Sequence, residues 1–182
     1  MSIVSVFCAS SPNIDEVYFK DTAILGQLLA KQEFSVVCGA GSTGLMGCIT
    51  DSMISQGGTV IGIIPQFMFD LGWQHKELSK LIVVGTMHER KAMMAQMSNA
   101  TIALPGGCGT FEELLEIITW RQLGLYQNPV IILNTNGYYN HLIKLLDEAV
   151  GQKFMSESNL SLWTVVQNPQ EVINCLTNND IK

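Results

Sequence analysis

The sequence predicts an α/β fold: a Rossmann-like doubly wound parallel sheet with helices on both faces, formed as a single domain over residues 1–182. Three observations predict it. Short apolar runs alternate with segments of helical spacing along the whole chain, as in repeated βαβ units. Two strand-to-helix turns, at 39–47 and 105–110, are rich in glycine. The composition, 47% hydrophobic and only 14% charged, suits strands buried on both faces.

Residues 3–8 read as the first strand, broken by Ala9-Ser10-Ser11-Pro12-Asn13. The serines and asparagine there either cap the next helix or contact a phosphate or sugar, with Ser10 the candidate. Helical spacing follows over 14–32, with Val17, Ile24, Leu25, Leu28 and Leu29 apolar. The second strand, 34–38, runs into 39-GAGSTGLMG-47, where Gly39, Gly41 and Gly44 match a G-x-G-x-x-G pattern. A dinucleotide site needs an acidic residue some 20 positions on, and 60–64 runs into Pro65 instead. The turn is therefore read as facing phosphate or ribose, with Gly41 and Ser42 as candidate contacts.

A helix over 46–56 ends at Gly57-Gly58, and 59–64 is the third strand. Residues 65–80 read as a long connection carrying Phe67, Phe69, Trp73 and His75, of a length that more often serves function than decoration. His75 is either a substrate contact or an ordinary surface histidine. After the fourth strand, 81–84, Thr86 caps a helix whose first turns hold His88, Glu89, Arg90 and Lys91. The helix dipole opposes cations at that end, so the pair either holds an anion or forms a solvated polar face. Met93, Met94 and Met97 are core or interface filler. The fifth strand is 100–104, and the helix after it reaches Gly124 as its C′ residue. The sixth strand (129–134), a helix (137–150), a last strand (162–166) and a helix (169–176) opened by Asn168 and Pro169 complete the order. The polar tail, 177–182, is expected to fray. In such sheets ligands bind at the carboxyl ends of the strands where the order reverses, so the turns after strands one, two, four and five are candidates for one crevice.

The net charge of −6 argues against a general nucleic-acid binder or membrane-surface protein. Five cysteines, an odd number with no C-x-x-C, fit free thiols in a reducing cytoplasm, and the few His and Cys show no metal-ligand spacing.

The most informative stretch is 102-IALPGGCGTFEELLEIITW-120. Gly106, Gly107, Cys108, Gly109 and Thr110 let a ligand approach the backbone, and the helix start offers unpaired N–H groups to an anion. Glu113 and Glu116 lie three apart on one helix face; they are either site carboxylates or first-turn acids favoured by the dipole. Cys108 is either a lowered-pKa nucleophile or a small residue of the loop. Cleaving a bond at a sugar carbon develops positive charge that a carboxylate can stabilise, with a phosphate as remote handle.

Met87-His88-Glu89-Arg90-Lys91 followed after a strand by P-G-G-x-G-T-x-x-E, at 105–113, resembles the signature of the Lonely Guy (LOG) family. The likeness extends over nearly the whole chain, including 39–47 and the I-T-W and G-Y-Y segments near 118 and 137. The resemblance implies a Rossmann-like homodimer, without a cofactor, that hydrolyses the N-glycosidic bond of a purine nucleoside 5′-monophosphate to base and ribose 5-phosphate. It implies Arg90 and Glu113 as the catalytic pair, and Lys91, the 106–110 loop, Glu116 and Thr119 at the substrate. Where the family often has a glutamate ahead of the histidine, this chain has Gly72, which leaves AMP and N6-prenylated AMP both open. A non-catalytic nucleotide-binding module and a ribose 5-phosphate transferase are the alternatives; a decarboxylase lacks a placed lysine.

Overall fold

A computed structural model describes residues 2–178. Seven strands form one all-parallel sheet in the order β4-β3-β2-β1-β5-β6-β7. They are β1 (Ile3–Phe7), β2 (Ser35–Cys38), β3 (Val60–Pro65), β4 (Lys80–Val84), β5 (Ala100–Ala103), β6 (Val130–Leu133) and β7 (Thr164–Val166). The helices are α1 (Glu16–Lys31), α2 (Gly44–Ile54), α3 (Gln66–Asp70), α4 (Met87–Met97), α5 (Cys108–Gln122), α6 (Asn140–Gly151) and α7 (Pro169–Asn178). This is the doubly wound arrangement that the alternation of elements predicts. The order reverses between β1 and β5, which pair through Val4–Ala100 to Phe7–Ala103. Among the described residues no helix is long and apolar enough to cross a membrane.

Period-two alternation in the strands builds two cores. Val4, Val6, Val36, Cys38, Ile102 and Ile131 face α1, α2 and α7, where Leu25, Leu29, Ile49, Met53 and Val172 meet them. Phe7, Val37, Ile63, Ala103, Val130 and Ile132 face α4, α5 and α6, against Met94, Leu114, Ile117 and Leu146. Both faces of the sheet are thus dry, as a low-charge, aliphatic-rich strand set requires.

Several boundaries differ from the sequence reading, each for a local reason. The 65–80 connection contains α3, a short helix with Pro65 as its N-cap residue. Ser10, Ser11 and Asn13 do not cap α1; it starts at Glu16 behind Asp15. Instead the Ser10 carbonyl accepts a hydrogen bond from Thr43 Oγ1 at 2.8 Å, tying the β1 turn to the β2 turn. Helix α2 begins two residues early, at Gly44, and a 3₁₀ turn at Thr135–Gly137 delays α6 to Asn140. Leu162 ends a second 3₁₀ segment, Glu157–Leu162, so β7 is only three residues long. Thr86 caps α4 as expected, in a capping box closed by Glu89. Asn168 Oδ1 accepts from Glu171 N at 3.0 Å at the start of α7, and Gly124 (φ 74°) follows α5. Of the predicted tail, 179–182 lies outside the described residues.

The β1 turn and the start of α2 touch at Gly44, whose φ is 61°; a Cβ there would sit 2.6 Å from the Ser10 carbonyl carbon and 2.7 Å from the Ala9 oxygen. Leu45 N also donates to the Ala9 carbonyl at 2.9 Å. Gly44→Ala is expected to destabilise the fold by about 2–4 kcal/mol, through both the left-handed φ and the backbone clash. Urea unfolding checks this, and an unchanged midpoint contradicts it.

Candidate active site

The carboxyl ends of β1, β2, β3, β4 and β5 open into one cavity of about 710 Å³. Cys8, Ala9 and Ser10 come from the β1 turn, and Gly39, Gly41, Ser42, Thr43 and Met46 from the β2 turn and α2. Met87 and Arg90 come from α4, and Gly107, Cys108, Gly109, Thr110, Glu112 and Glu113 from the start of α5. All four turns predicted to share a crevice share this one. A fifth wall comes from β3 and the connection after it, Ile64, Met68, Gly72 and Trp73; of these the sequence points to Gly72 alone, through the family resemblance. The signal for the others was present: an unusually long connection carrying aromatics.

Arg90 and Glu113 meet at the cavity floor, Nη2 to Oε1 at 3.4 Å, with each side chain only 9% exposed. Burial pushes the Glu113 carboxyl above its usual range, and the Arg90 guanidinium opposes that shift. Arg90 Nη1 reaches Met87 Sδ at 3.6 Å, while Nε is buried without a partner. A guanidinium with donors left over, facing a cavity, is arranged to take an oxygen ligand. Gly39 makes this possible: a Cβ there would lie 2.9 Å from Arg90 Cζ and closer still to Nη2.

The glycine loop supplies the second polar feature. The carbonyls of 104–107 all accept hydrogen bonds from within the fold, and no N–H of 106–110 is among the described backbone donors outside the helix. The N–H groups at the start of α5 are therefore left for a ligand. Cys108 is exposed in this wall; Cys8, deeper and buried, has its thiol pKa pushed well up by burial. That makes Cys8 an inert lining atom.

Ser10, Gly41, Ser42, Gly107, Cys108, Gly109 and Thr110 line the cavity with Arg90 and Glu113. Gly106 lies behind that wall. Lys91, Glu116 and Thr119 lie outside it. Lys91 is buried on α4 and turns onto Glu112 and Glu116 (Nζ–Oε2 3.1 Å) of α5. Burial works against its charge, but the two carboxylates outweigh it and raise the Lys91 pKa. Thr119 is exposed and bonds back to the Leu115 carbonyl at 2.7 Å. His75 is a clamp: Nδ1 accepts from Glu77 N at 3.2 Å, Nε2 meets Asp51 at 3.0 Å, and the backbone N–H donates to the Ala40 carbonyl at 2.8 Å. Together with Ser42 N to Trp73 O at 3.1 Å and the Gly41–Gln74 bridge, it zips 73–75 onto the β2 turn. That antiparallel contact fixes Trp73 beside the cavity.

Comparison with known proteins decides the family. A family profile described as "possible lysine decarboxylase" matches residues 46–176. The cytokinin riboside 5′-monophosphate phosphoribohydrolase LOG5 of Arabidopsis thaliana is 42% identical over 170 residues, covering 93% of this chain and 75% of that protein. LOG1 of the same plant is 42% identical over 171 residues, covering 93% and 80%. The chain belongs to the LOG family. Among solved structures, the molybdenum cofactor carrier protein of Chlamydomonas reinhardtii has a TM-score of 0.75 at 22% identity, covering 100% of this chain and 99% of that one. The molybdenum cofactor binding protein of Rippkaea orientalis has a TM-score of 0.72 at 20% identity, covering 97% and 96%. At those identities the likeness establishes the fold alone. The decarboxylase description does not suit this LOG-family cavity: none of the described lining residues is a lysine that could form a Schiff base, and Lys91 is held outside by two carboxylates.

Gly39→Ala is expected to displace Arg90 from Glu113 and to weaken any anionic ligand of the cavity at least tenfold, because the guanidinium has no room to stay. Titration calorimetry with ribose 5-phosphate checks this; wild-type affinity in a folded Gly39→Ala variant contradicts it.

Proposed function

We propose that this protein hydrolyses the N-glycosidic bond of purine nucleoside 5′-monophosphates, releasing the free base and ribose 5-phosphate. The observation that carries the reading is a single cavity lined both by the start of α5, whose first N–H groups are not among the described backbone donors outside the helix, and by the buried Arg90–Glu113 pair. The names borne by relatives at 42% identity support it.

The 5′-phosphate rests on the N–H groups of 107–110, and its binding energy holds the sugar carbon against the acid. Arg90 takes a substrate oxygen with its spare donors. As the bond to the base lengthens, the ring carbon becomes cationic, and the Glu113 carboxylate stabilises that charge and directs the water. Water then supplies the hydroxyl to the sugar and the proton to the departing base. Arg90 opposes the rise that burial imposes on the Glu113 carboxyl and so favours its ionised form.

The base lies toward β3, across β2 and β1 from the phosphate loop after β5. Met46, Ile64, Met68 and Trp73 line that end, and Gly72 offers no carboxylate there. An apolar, polarisable wall favours a purine with an apolar N6 substituent over adenine itself. The exposed Leu115, Leu123 and Leu125 on and after α5, beside a groove formed by Ala92, Ala95 and Trp120, support a homodimer through this face.

Purified protein incubated with N6-prenylated AMP is expected to release free base, and more slowly with AMP; no release from either sinks the reaction. Glu113→Gln is expected to lower kcat by about 10²–10⁴-fold. Because the folded-state pKa of Glu113 is raised, kcat falls with decreasing pH through a value above the usual carboxylate range. A pH–rate profile with its acid limb inside the ordinary range contradicts this. Light scattering is expected to give twice the chain mass; a monomer mass counts against the dimer.

A further inference from the structure

The loop that faces the phosphate site begins with two adjacent glycines, Gly106 and Gly107. A peptide between two glycines meets little steric resistance to flipping. In one orientation its N–H points toward an anion at the start of α5; in the other its carbonyl oxygen does, and repels it. Something outside the loop must choose.

The turn between β6 and α6 makes that choice. Asn136 (φ 54°) and Gly137 (φ 71°) bend the chain through left-handed conformations, and Asn134 Oδ1 then accepts from Tyr139 N at 2.7 Å. Asn134 N is itself anchored to the Val166 carbonyl at 2.8 Å, so the turn is fixed to the sheet edge strand β7. It presents two consecutive tyrosines to the glycine loop. Tyr139 is 1% exposed and donates to the Leu104 carbonyl at 2.7 Å. Tyr138 donates to the Gly106 carbonyl at 2.5 Å. The Pro105 carbonyl between them accepts from Ala9 N at 3.1 Å, and the Gly107 carbonyl from Phe111 N at 3.0 Å. Four successive carbonyls are thus held by four donors, which leaves the N–H groups for the cavity.

The Tyr138 ring is itself held. It stacks on Phe111 of α5 (centroids 6.3 Å apart, planes 23°) and meets Tyr18 of α1 edge-on at 5.9 Å. These ring contacts orient the half-exposed side chain so that its hydroxyl meets the Gly106 carbonyl. Leu104 and Pro105 have stiff backbones, so the Tyr139 bond fastens a segment that is already fixed. The Tyr138 bond instead closes on the peptide with the most freedom.

We propose that Tyr138 is a positioning residue that locks the Gly106–Gly107 peptide with its carbonyl away from the cavity and its N–H toward a bound phosphate. It touches no substrate; it acts through the loop. The inference rests on the reading of this loop as the 5′-phosphate site, but not on the bond that is broken.

Titration calorimetry with inorganic phosphate and with ribose 5-phosphate tests it without turnover. Tyr138→Phe keeps the ring and its stacking and removes only the hydroxyl. It is expected to raise both Kd values about tenfold, the scale of one hydrogen bond to a group that must not turn, with the melting temperature within about 2 °C of wild type. Tyr139→Phe, the same deletion one residue on, is expected to lower the melting temperature and leave both Kd values within about twofold. In turnover, KM for the nucleotide rises in Tyr138→Phe while kcat holds. Unchanged Kd values in Tyr138→Phe overturn the proposal. So does an equal loss in both variants, which marks general loosening, or a wild-type protein that binds neither ligand. A protein that binds both ligands but releases no base sinks the hydrolysis and leaves this inference standing.

Discussion

Arg90 and Glu113 are held 3.4 Å apart with about nine-tenths of each side chain out of water. A charge so buried is tolerated only with a partner, and among the described residues neither makes a second ion pair. The two come from different helices, α4 and α5, and one close contact has to be built by everything that sets those helices. The capping box at Thr86 and Glu89 fixes the start of α4. The pairing of β1 with β5 fixes the start of α5. Gly39, at the end of β2, leaves the space that the guanidinium fills. The reversal of strand order beside β1 brings these three ends together.

The cavity is polarised by the same topology. On the β5 side its wall is the glycine loop and first turn of α5, where the carbonyls of 104–107 are all held within the fold. On the β3 side it is thioether, aliphatic and indole. A ligand with an anionic end and an aromatic end can lie along the sheet order and match both. Neither end relies on a loop free to wander: the glycine loop after β5 is braced by Tyr138 and Tyr139, and the Trp73 side is zipped to the β2 turn through His75.

Lys91 illustrates why sequence neighbours need not share a role. It follows Arg90 directly, and the pair reads as one basic patch. On a helix, consecutive residues point some 100° apart. Arg90 therefore faces the cavity while Lys91 faces α5, where Glu112 and Glu116 take it. The carboxylates at 112, 113 and 116 divide in the same way. Glu113 belongs to the cavity floor, and Glu116 belongs to the ion-pair cluster. Glu112 borders the cavity and also binds Lys91.

The sequence by itself determined the element order, the parallel sheet and the glycine turns, because period-two and period-3.6 apolar patterns and turn chemistry are local. It marked Arg90 and Glu113 as candidates near the starts of two helices, and the resemblance to the LOG family, not their spacing, singled them out as a pair. Only the tertiary structure decided which side chains share a surface. It turned Lys91, Glu116 and Thr119 away from the cavity, made His75 a clamp, brought in Met68 and Trp73, and set Tyr138 behind the loop it braces. Those contacts join residues far apart in the chain, at Tyr138 and Gly106 or at His75 and Asp51. They depend on the direction each side chain takes once strands β1 and β5 lie side by side, and no local pattern encodes that direction.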